Sequence, residues 1–257
     1  MRLMICHVWR VIYAMKTKTL SVIIPAYNEE RFIGKLIELV INVDLSRFGL
    51  RKEIIVVDDC STDRTAEIAG GIDGVTLKRL PKNSGKGAAV KAGIKSATGD
   101  YIIIQDADLE YDPEDYAPML RLLLSNGADA VYGSRYLKHP GRNKLFNLLT
   151  GKNTHQSWPA YLGGQSLSFI ALIFTGHYLT DTVTALKLFK REIIKSVDFN
   201  TSGFELDHEI TSKLLARGHR IKEVPIKYFP RSKEEGKKIG LRDWFIALRT
   251  FYKYRTG

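Results

Sequence analysis

Short apolar runs alternate with amphipathic stretches along the first half of the chain, and each run stops at a polar or turn-forming residue. Leu20-Ser21-Val22-Ile23-Ile24 is β-branched and ends at Pro25, the pattern of a buried strand. Asn28 is placed to cap a helix running to about Ile41, with Glu29 and Glu30 in its first turn. Further buried strands are expected over residues 53–57, 75–80, 101–105 and 128–132. Helices are expected over residues 63–69 (capped by Ser61 or Thr62), over 88–97, and from Pro113 to about Ser125. Strands alternating with short helices build an α/β domain around a mostly parallel sheet with helices on both faces.

Beyond residue 133 the pattern changes. Residues 135–164 are loop-rich and basic, and residues 167–178 read as a helix. Residues 185–189 alternate weakly, as an edge or mixed strand would. A helix with acids at its start is expected over 204–217, a strand over 220–229, and a final helix over 241–254. In that helix Leu241, Trp244, Phe245, Leu248, Phe251 and Tyr252 recur at helical spacing. Residues 1–14 are apolar but broken by His7 and Arg10, with no small-residue cleavage site. They read as an extension, frayed or ahead of the true start near Met15. No run reaches the ~18 apolar residues of a membrane-spanning helix.

Charge is unevenly placed over the 257 residues, whose net charge is +11. Residues 1–130 carry 17 Lys/Arg against 18 Asp/Glu, or −1; residues 131–257 carry 22 against 10, or +12. The basic half calls for an anionic partner: nucleic acid, a membrane surface or a phosphorylated ligand. A nucleic-acid module leaves the acids of the first half unexplained and lacks a recognition motif. The two cysteines, Cys6 and Cys60, form neither a metal spacing nor a disulfide framework, which points to a reducing compartment.

Parallel sheets bind ligands at the carboxyl ends of their strands. Pro25-Ala26-Tyr27-Asn28, Asp58-Asp59, Lys82 to Gly87, and Gln105-Asp106-Ala107-Asp108-Leu109-Glu110 share that rim. On an extended backbone Asp106, Asp108 and Glu110 project to one side, toward a hard cation such as Mg²⁺ or Mn²⁺. The alternative is a solvated acidic turn leading into the helix at Pro113, with Asp112 as N-cap. That accounts for Asp112 to Asp115, but poorly for three acids leaving a buried strand. A nucleoside diphosphate suits the rim. Asp58, Asp59 and Glu29 offer acceptors to base and ribose; a cation, Lys86 and Arg135 offer charge to phosphate. Lys86 opens a helix, where a cation is unfavourable unless an anion binds. There is no P-loop and no GxGxxG, which weakens ATPase and dinucleotide readings.

Ser21-Val22-Ile23-Ile24-Pro25-Ala26-Tyr27-Asn28-Glu29-Glu30, Val56-Val57-Asp58-Asp59-Cys60-Ser61-Thr62-Asp63, Asn83-Ser84-Gly85-Lys86-Gly87 and Asp106-Ala107-Asp108 resemble motifs of the family-two glycosyltransferases of the GT-A fold. Residues 106–110 and Gly133-Ser134-Arg135-Tyr136 look most like the branch of dolichyl-phosphate mannose and glucose synthases. The resemblance runs in order over residues 18–240. It implies a single GT-A domain over 15–240, Rossmann-like, with a nucleotide-sugar half (15–132) and an acceptor half (133–240). A basic amphipathic helix (241–257) would follow. The implied activity is inverting, metal-dependent transfer of a hexose from a GDP- or UDP-sugar to a polyprenyl phosphate. It would occur at the cytoplasmic face of a membrane, with peripheral attachment and no nucleic-acid partner. By motif, Pro25, Tyr27, Glu29 and Asp58 hold base and ribose, and Lys86 and Arg135 meet phosphate. Arg231 and Lys237 lie on a loop that closes over the diphosphate. Asp106 and Asp108 form the family's Asp-x-Asp, with Asp108 the direct metal ligand. Glu110 stands where mannose synthases usually carry Gln, which leaves the sugar donor open.

On the acceptor side, Phe204-Glu205-Leu206-Asp207-His208-Glu209 occupies the stretch where this family often carries acids. A hydroxyl acceptor needs a general base, Asp207 or Glu205; a phosphate acceptor needs none. A dipole-complementing helix start explains the same acids. Asp181 precedes a motif with Ala185 where the family usually has Gly. His208 reads as a surface residue and Cys60 as a small buried one. The helix over 241–254, with Arg242, Arg249, Lys253 and Arg255 near its aromatics, either lies in a bilayer interface or packs on the core. A nucleotidyltransferase is disfavoured, because no Gly-rich loop follows the first strand.

Overall fold

In the computed structural model, which describes residues 17–137, 158–230 and 241–256, seven strands form one sheet. They are β1 (Lys18–Ala26), β2 (Leu50–Asp58), β3 (Val75–Arg79), β4 (Tyr101–Ile104), β5 (Ala130–Ser134), β6 (Lys187–Lys190) and β7 (Ile221–Pro225). Their order across the sheet is β3-β2-β1-β4-β6-β5-β7. All pairings are parallel except those of β6, which runs antiparallel to β4 and to β5. The sheet therefore continues without a break from the donor-motif strands into the second half of the chain.

Alternation along the strands divides the core in two. Leu20, Val22 and Ile24 of β1 join Ile103 of β4 on one face, against α1 (Ile33–Asn42) and α4 (Tyr116–Leu124). Ile23, Ile102 and Ile104 point the other way, against α3 (Lys86–Ser96) and α7 (Leu206–Ala216). Such two-sided burial is what near-continuous apolar strands require. Two further helices, α2 (Thr65–Gly70) and α6 (Arg191–Lys195), are short. Away from the sheet, α5 (Trp158–Thr175) packs with α8 (Leu241–Lys253) through Leu167, Ile170 and Ala171 against Ala247 and Phe251.

The structure moves several expected boundaries. α1 starts at Ile33, not after Asn28, because Asn28 adopts the left-handed region (φ 53°) and belongs to a turn. Of the two alternatives for residues 185–189, β6 is the mixed strand rather than an edge: it lies between β4 and β5 and runs antiparallel to both. α5 begins at Trp158, well before the expected Leu167, so only residues 138–157 of the loop-rich stretch lie outside the described residues. β7 stops at Pro225, and Tyr228 forms a lone bridge with Tyr111 instead.

Asp129 ties the β5–β6–β7 end together. Its carboxylate accepts the Arg220 backbone N–H at 3.0 Å and pairs with Lys190 Nζ at 3.2 Å. Burial opposes its charge, but Arg220 and Lys190 outweigh it and hold the pKa down at about 2. A folded-state pKa below the unfolded value stabilises above the unfolded pKa and is lost as pH falls through the folded one. We therefore expect Asp129→Asn to lower the unfolding free energy by about 2 kcal/mol at neutral pH. Urea titrations of both proteins should show that difference closing between about pH 4 and pH 2.

Candidate active site

The loops leaving β1 and β2 are knitted side by side. Asn28 N–H donates to Ser61 Oγ at 3.0 Å, and Asn28 Oδ1 accepts Thr62 N–H at 2.9 Å. Glu29 N–H donates to Thr65 Oγ1 at 2.8 Å, and the Glu30 carboxylate accepts Arg64 N–H at 3.0 Å. This sets Tyr27 on the rim, 45% exposed, two residues after buried Pro25, with Glu29 half-buried. Asp58 is fully buried; its carboxylate accepts Ser61 N–H at 3.2 Å and pairs with Arg79 at 3.1 Å. Asp59 accepts Ser84 and Gly85 N–H at 2.8 and 2.7 Å, fixing the loop that opens α3.

The acid triplet does not sit on an extended backbone. β4 ends at Ile104, and Leu109 takes a left-handed conformation (φ 59°) that reverses the chain. Asp106, Asp108 and Glu110 are all buried, yet they do not meet at one point. Among the described residues no group of three or more His, Cys, Asp or Glu is placed to hold a metal ion. Glu110 is the outlier, its carboxylate accepting Tyr228 O–H at 3.1 Å while its carbonyl accepts Phe229 N–H at 2.9 Å. Two buried carboxylates on one turn still fit a hard cation that takes its remaining ligands from phosphate and water; they do not make an all-protein cage.

Lys86, the first residue of α3, bonds Asp106 at 2.5 Å. Burial opposes its charge, but Asp106, Asp207 and Asp108 outweigh that and hold its pKa above the usual lysine value. Asp207 in turn pairs at 2.6 Å with Lys187 Nζ, which is fully buried, donates to the Thr184 carbonyl and lies 5.0 Å from the Tyr132 ring centre. Burial pulls the Lys187 pKa down, and Asp207 restores part of it. Charges thus alternate along Asp106, Lys86, Asp207 and Lys187. Lys86 and Asp207 line one pocket, with Gly87, Gly203 and Leu206 between them. The two sides touch through backbone: a Cβ at Gly87 would meet the Ser202 carbonyl carbon at 2.7 Å, and Ala88 N–H donates to Ser202 O at 3.0 Å.

Arg135 is clamped by Asp181 through Nε at 2.6 Å and Nη2 at 2.8 Å. Its guanidinium lies 5.5 and 5.2 Å from the Tyr136 and Tyr228 ring centres. Burial opposes its charge and Asp181 overrides it, so its pKa is raised further. Behind the clamp the Glu223 carboxylate accepts Thr180 and Asp181 N–H at 2.7 and 2.9 Å, and burial pushes its pKa up.

The acceptor-side acids separate. Glu205 turns back to accept Gly203 N–H at 3.1 Å, while Glu209 pairs with Lys213 at 2.6 Å and holds Asn200 and Thr201 N–H. His208 is buried rather than on the surface; its ring lies 5.1 Å from Phe251, and burial lowers its pKa to about 4. Cys60 is half-buried rather than buried, in the left-handed region (φ 62°). Arg231 and Lys237 lie outside the described residues. Sequence reasoning missed Lys187 and the Arg135–Asp181 clamp. A lysine inside an apolar strand pattern was the available signal for the first; nothing local signalled the second.

Comparisons with known proteins bear on the family and the fold. The model of glycosyl transferase family 2 matches residues 21–197. A dolichol-phosphate mannosyltransferase of Pyrococcus furiosus is 34% identical over 243 residues, covering 91% of this chain and 62% of that protein. A low-salt glycan biosynthesis hexosyltransferase of Haloferax volcanii is 32% identical over 219 residues, covering 84% of this chain and 49% of its own length. The chain thus spans less than two thirds of either relative. The crystal structure of glucosyl-3-phosphoglycerate synthase from Mycobacterium tuberculosis with Mn²⁺, uridine diphosphate and phosphoglyceric acid superposes with a TM-score of 0.65. It is 21% identical, covers 93% of this chain and 79% of that one, and shares the fold.

A non-glycine residue in the left-handed region costs about 1 kcal/mol or more. Cys60→Gly should therefore raise stability by about 0.5 kcal/mol in chemical denaturation, after glycine's own entropy loss is subtracted.

Proposed function

The chain belongs to glycosyl transferase family 2, and from that premise we propose that it moves a hexose from a GDP- or UDP-sugar to a polyprenyl phosphate with inversion. The pairing of Asp207 with buried Lys187 carries the choice of acceptor. A hydroxyl acceptor must lose its proton to a base. The Asp207 carboxylate is instead occupied by its ion pair with Lys187, and Glu205 is turned onto Gly203 N–H. A phosphate monoester arrives ionised, so its oxygen can attack the anomeric carbon as the nucleoside diphosphate leaves.

In this reading Pro25, Tyr27, Glu29 and Asp58 line the base and ribose. Asp106 and Asp108 would hold Mg²⁺ or Mn²⁺, which when bound neutralises charge on the departing diphosphate. Glu110, the third acid expected at the cation, accepts Tyr228 O–H. Lys86 meets the diphosphate, the role that the family motif also gives Arg231 and Lys237, and Arg135 meets the incoming phosphate once its Asp181 clamp is shared. Residues 15–132 serve the donor, residues 133–240 the acceptor, and residues 241–257 follow as a separate helix. The polyprenyl chain places the reaction at a membrane, on the cytoplasmic face. A nucleic-acid partner has no part in it.

Incubation with labelled GDP-mannose, UDP-glucose or UDP-GlcNAc, a divalent cation and polyprenyl phosphate should carry label into an organic-extractable, acid-labile product. Donor hydrolysis without lipid labelling would transfer the argument to a hydroxyl acceptor. Asp108→Asn should cost about a hundredfold or more in kcat while the melting temperature holds. Asp207→Asn should keep kcat within about tenfold, whereas an enzyme relying on it as base would lose 10²–10⁴, roughly.

A further inference from the structure

The loop before α7 is held tightly and still presents a phenylalanine to the outside. Glu209 accepts Asn200 and Thr201 N–H, both at 2.9 Å, and Thr201 O–H at 2.6 Å. Ser202 O accepts Ala88 N–H at 3.0 Å, and Glu205 accepts Gly203 N–H at 3.1 Å. The loop's approach to α3 requires glycine at Gly85 as well as at Gly87. A Cβ at Gly85, whose φ of 92° already favours glycine, would meet Ser202 O at 2.7 Å. Phe204 follows on this fixed backbone, and it is 58% exposed.

An exposed phenylalanine is ordinary by itself. At many helix starts the residue ahead of the N-cap packs as a staple on the fourth helical residue. Here the N-cap is Glu205, and the fourth helical residue is Glu209, buried in its pair with Lys213. A carboxylate at that position makes no staple. Charge lies beside the ring instead. Lys86 Nζ sits 5.8 Å from its centre. Lys86 bonds Asp106 and shares a pocket with Asp207.

A flat apolar face next to an ammonium and a carboxylate suits a ligand that is amphipathic in the same way. A pyranose ring is such a ligand. Its hydroxyls seek charged and polar partners, while its C–H bonds, polarised by neighbouring oxygens, form an apolar face for the electron-rich side of an aromatic ring. The first isoprene of a polyprenyl phosphate would instead lay hydrocarbon over Lys86 and Asp207. With Lys86 at the diphosphate, the hexose is the next group along the donor.

We propose that Phe204 is the platform on which the donor's hexose lies, with Lys86 and Asp207 beside the sugar hydroxyls. This deepens the transfer reading and rests on it. Phe204 then sets how much the sugar adds to binding beyond the nucleoside diphosphate. Isothermal titration of the full chain with Mn²⁺ and no acceptor compares GDP-mannose, UDP-glucose and UDP-GlcNAc with GDP or UDP. Phe204→Leu keeps apolar bulk and removes the flat face. It should weaken the nucleotide sugar that the wild type binds by about tenfold and leave the diphosphate within about twofold, at unchanged melting temperature. Phe204→Tyr keeps the face and should bind both ligands as the wild type does. Equal weakening of both ligands by Phe204→Leu, or weakening of neither, overturns the proposal. Unchanged donor affinity with a raised KM for polyprenyl phosphate would assign the ring to the lipid, and also overturn it. A wild-type chain that binds none of the three donors sinks the transfer reading and the platform together. Donor affinity that ignores residue 204 sinks the platform alone.

Discussion

Carboxylates delivered from the end of a buried strand have to meet positive charge, and most of this site follows from that requirement. β4 is walled by β1 and β6 and buried along its whole length, so the acids after it have little water to turn to. Lys86 supplies the charge from the first turn of α3, where the helix itself disfavours a cation. Its placement becomes reasonable only with acids on both sides. Asp207 is the second of these, and it would be stranded in turn without Lys187. The result is a row of alternating charges whose members are individually costly and jointly satisfied.

Such a row constrains chemistry as well as stability. Lys187 occupies the Asp207 carboxylate from the buried side, and Lys86 lines the same pocket. The Arg135 clamp works the same way. Asp181 keeps the guanidinium oriented, and Glu223 holds the backbone of Thr180 and Asp181 in place behind it. The guanidinium is thereby aimed and desolvated in advance.

Much of this was legible in the sequence because the donor rim is local. Each strand of the first half ends in its own polar loop, and spacing alone puts Pro25, Asp58, Lys86 and Asp106 on one edge. The acid triplet was misread because alternation presumes an extended backbone, and Leu109 in the left-handed region breaks that assumption. Asn28 failed as a helix cap because its side chain binds the neighbouring loop instead. Lys187, and the pairing of Asp181 with Arg135, were opaque for another reason. Their meaning depends on β6 entering the sheet antiparallel beside β4, a non-local pairing that no window of sequence displays.

That insertion has a consequence for how the chain acquires its structure. Tyr101 pairs with Lys190 and Ile104 with Lys187, so one edge of β4 is open until the later segment arrives. β1, β2 and β3 can assemble from neighbouring sequence, whereas the strand that delivers the acids waits for a partner made much later. Contacts of that range close slowly, and an unpaired apolar edge invites pairing with other chains in the interval. During synthesis the nascent first half therefore carries a sticky seam beside the strand that leads into Asp106 and Asp108, and β6 both completes the sheet and seals it.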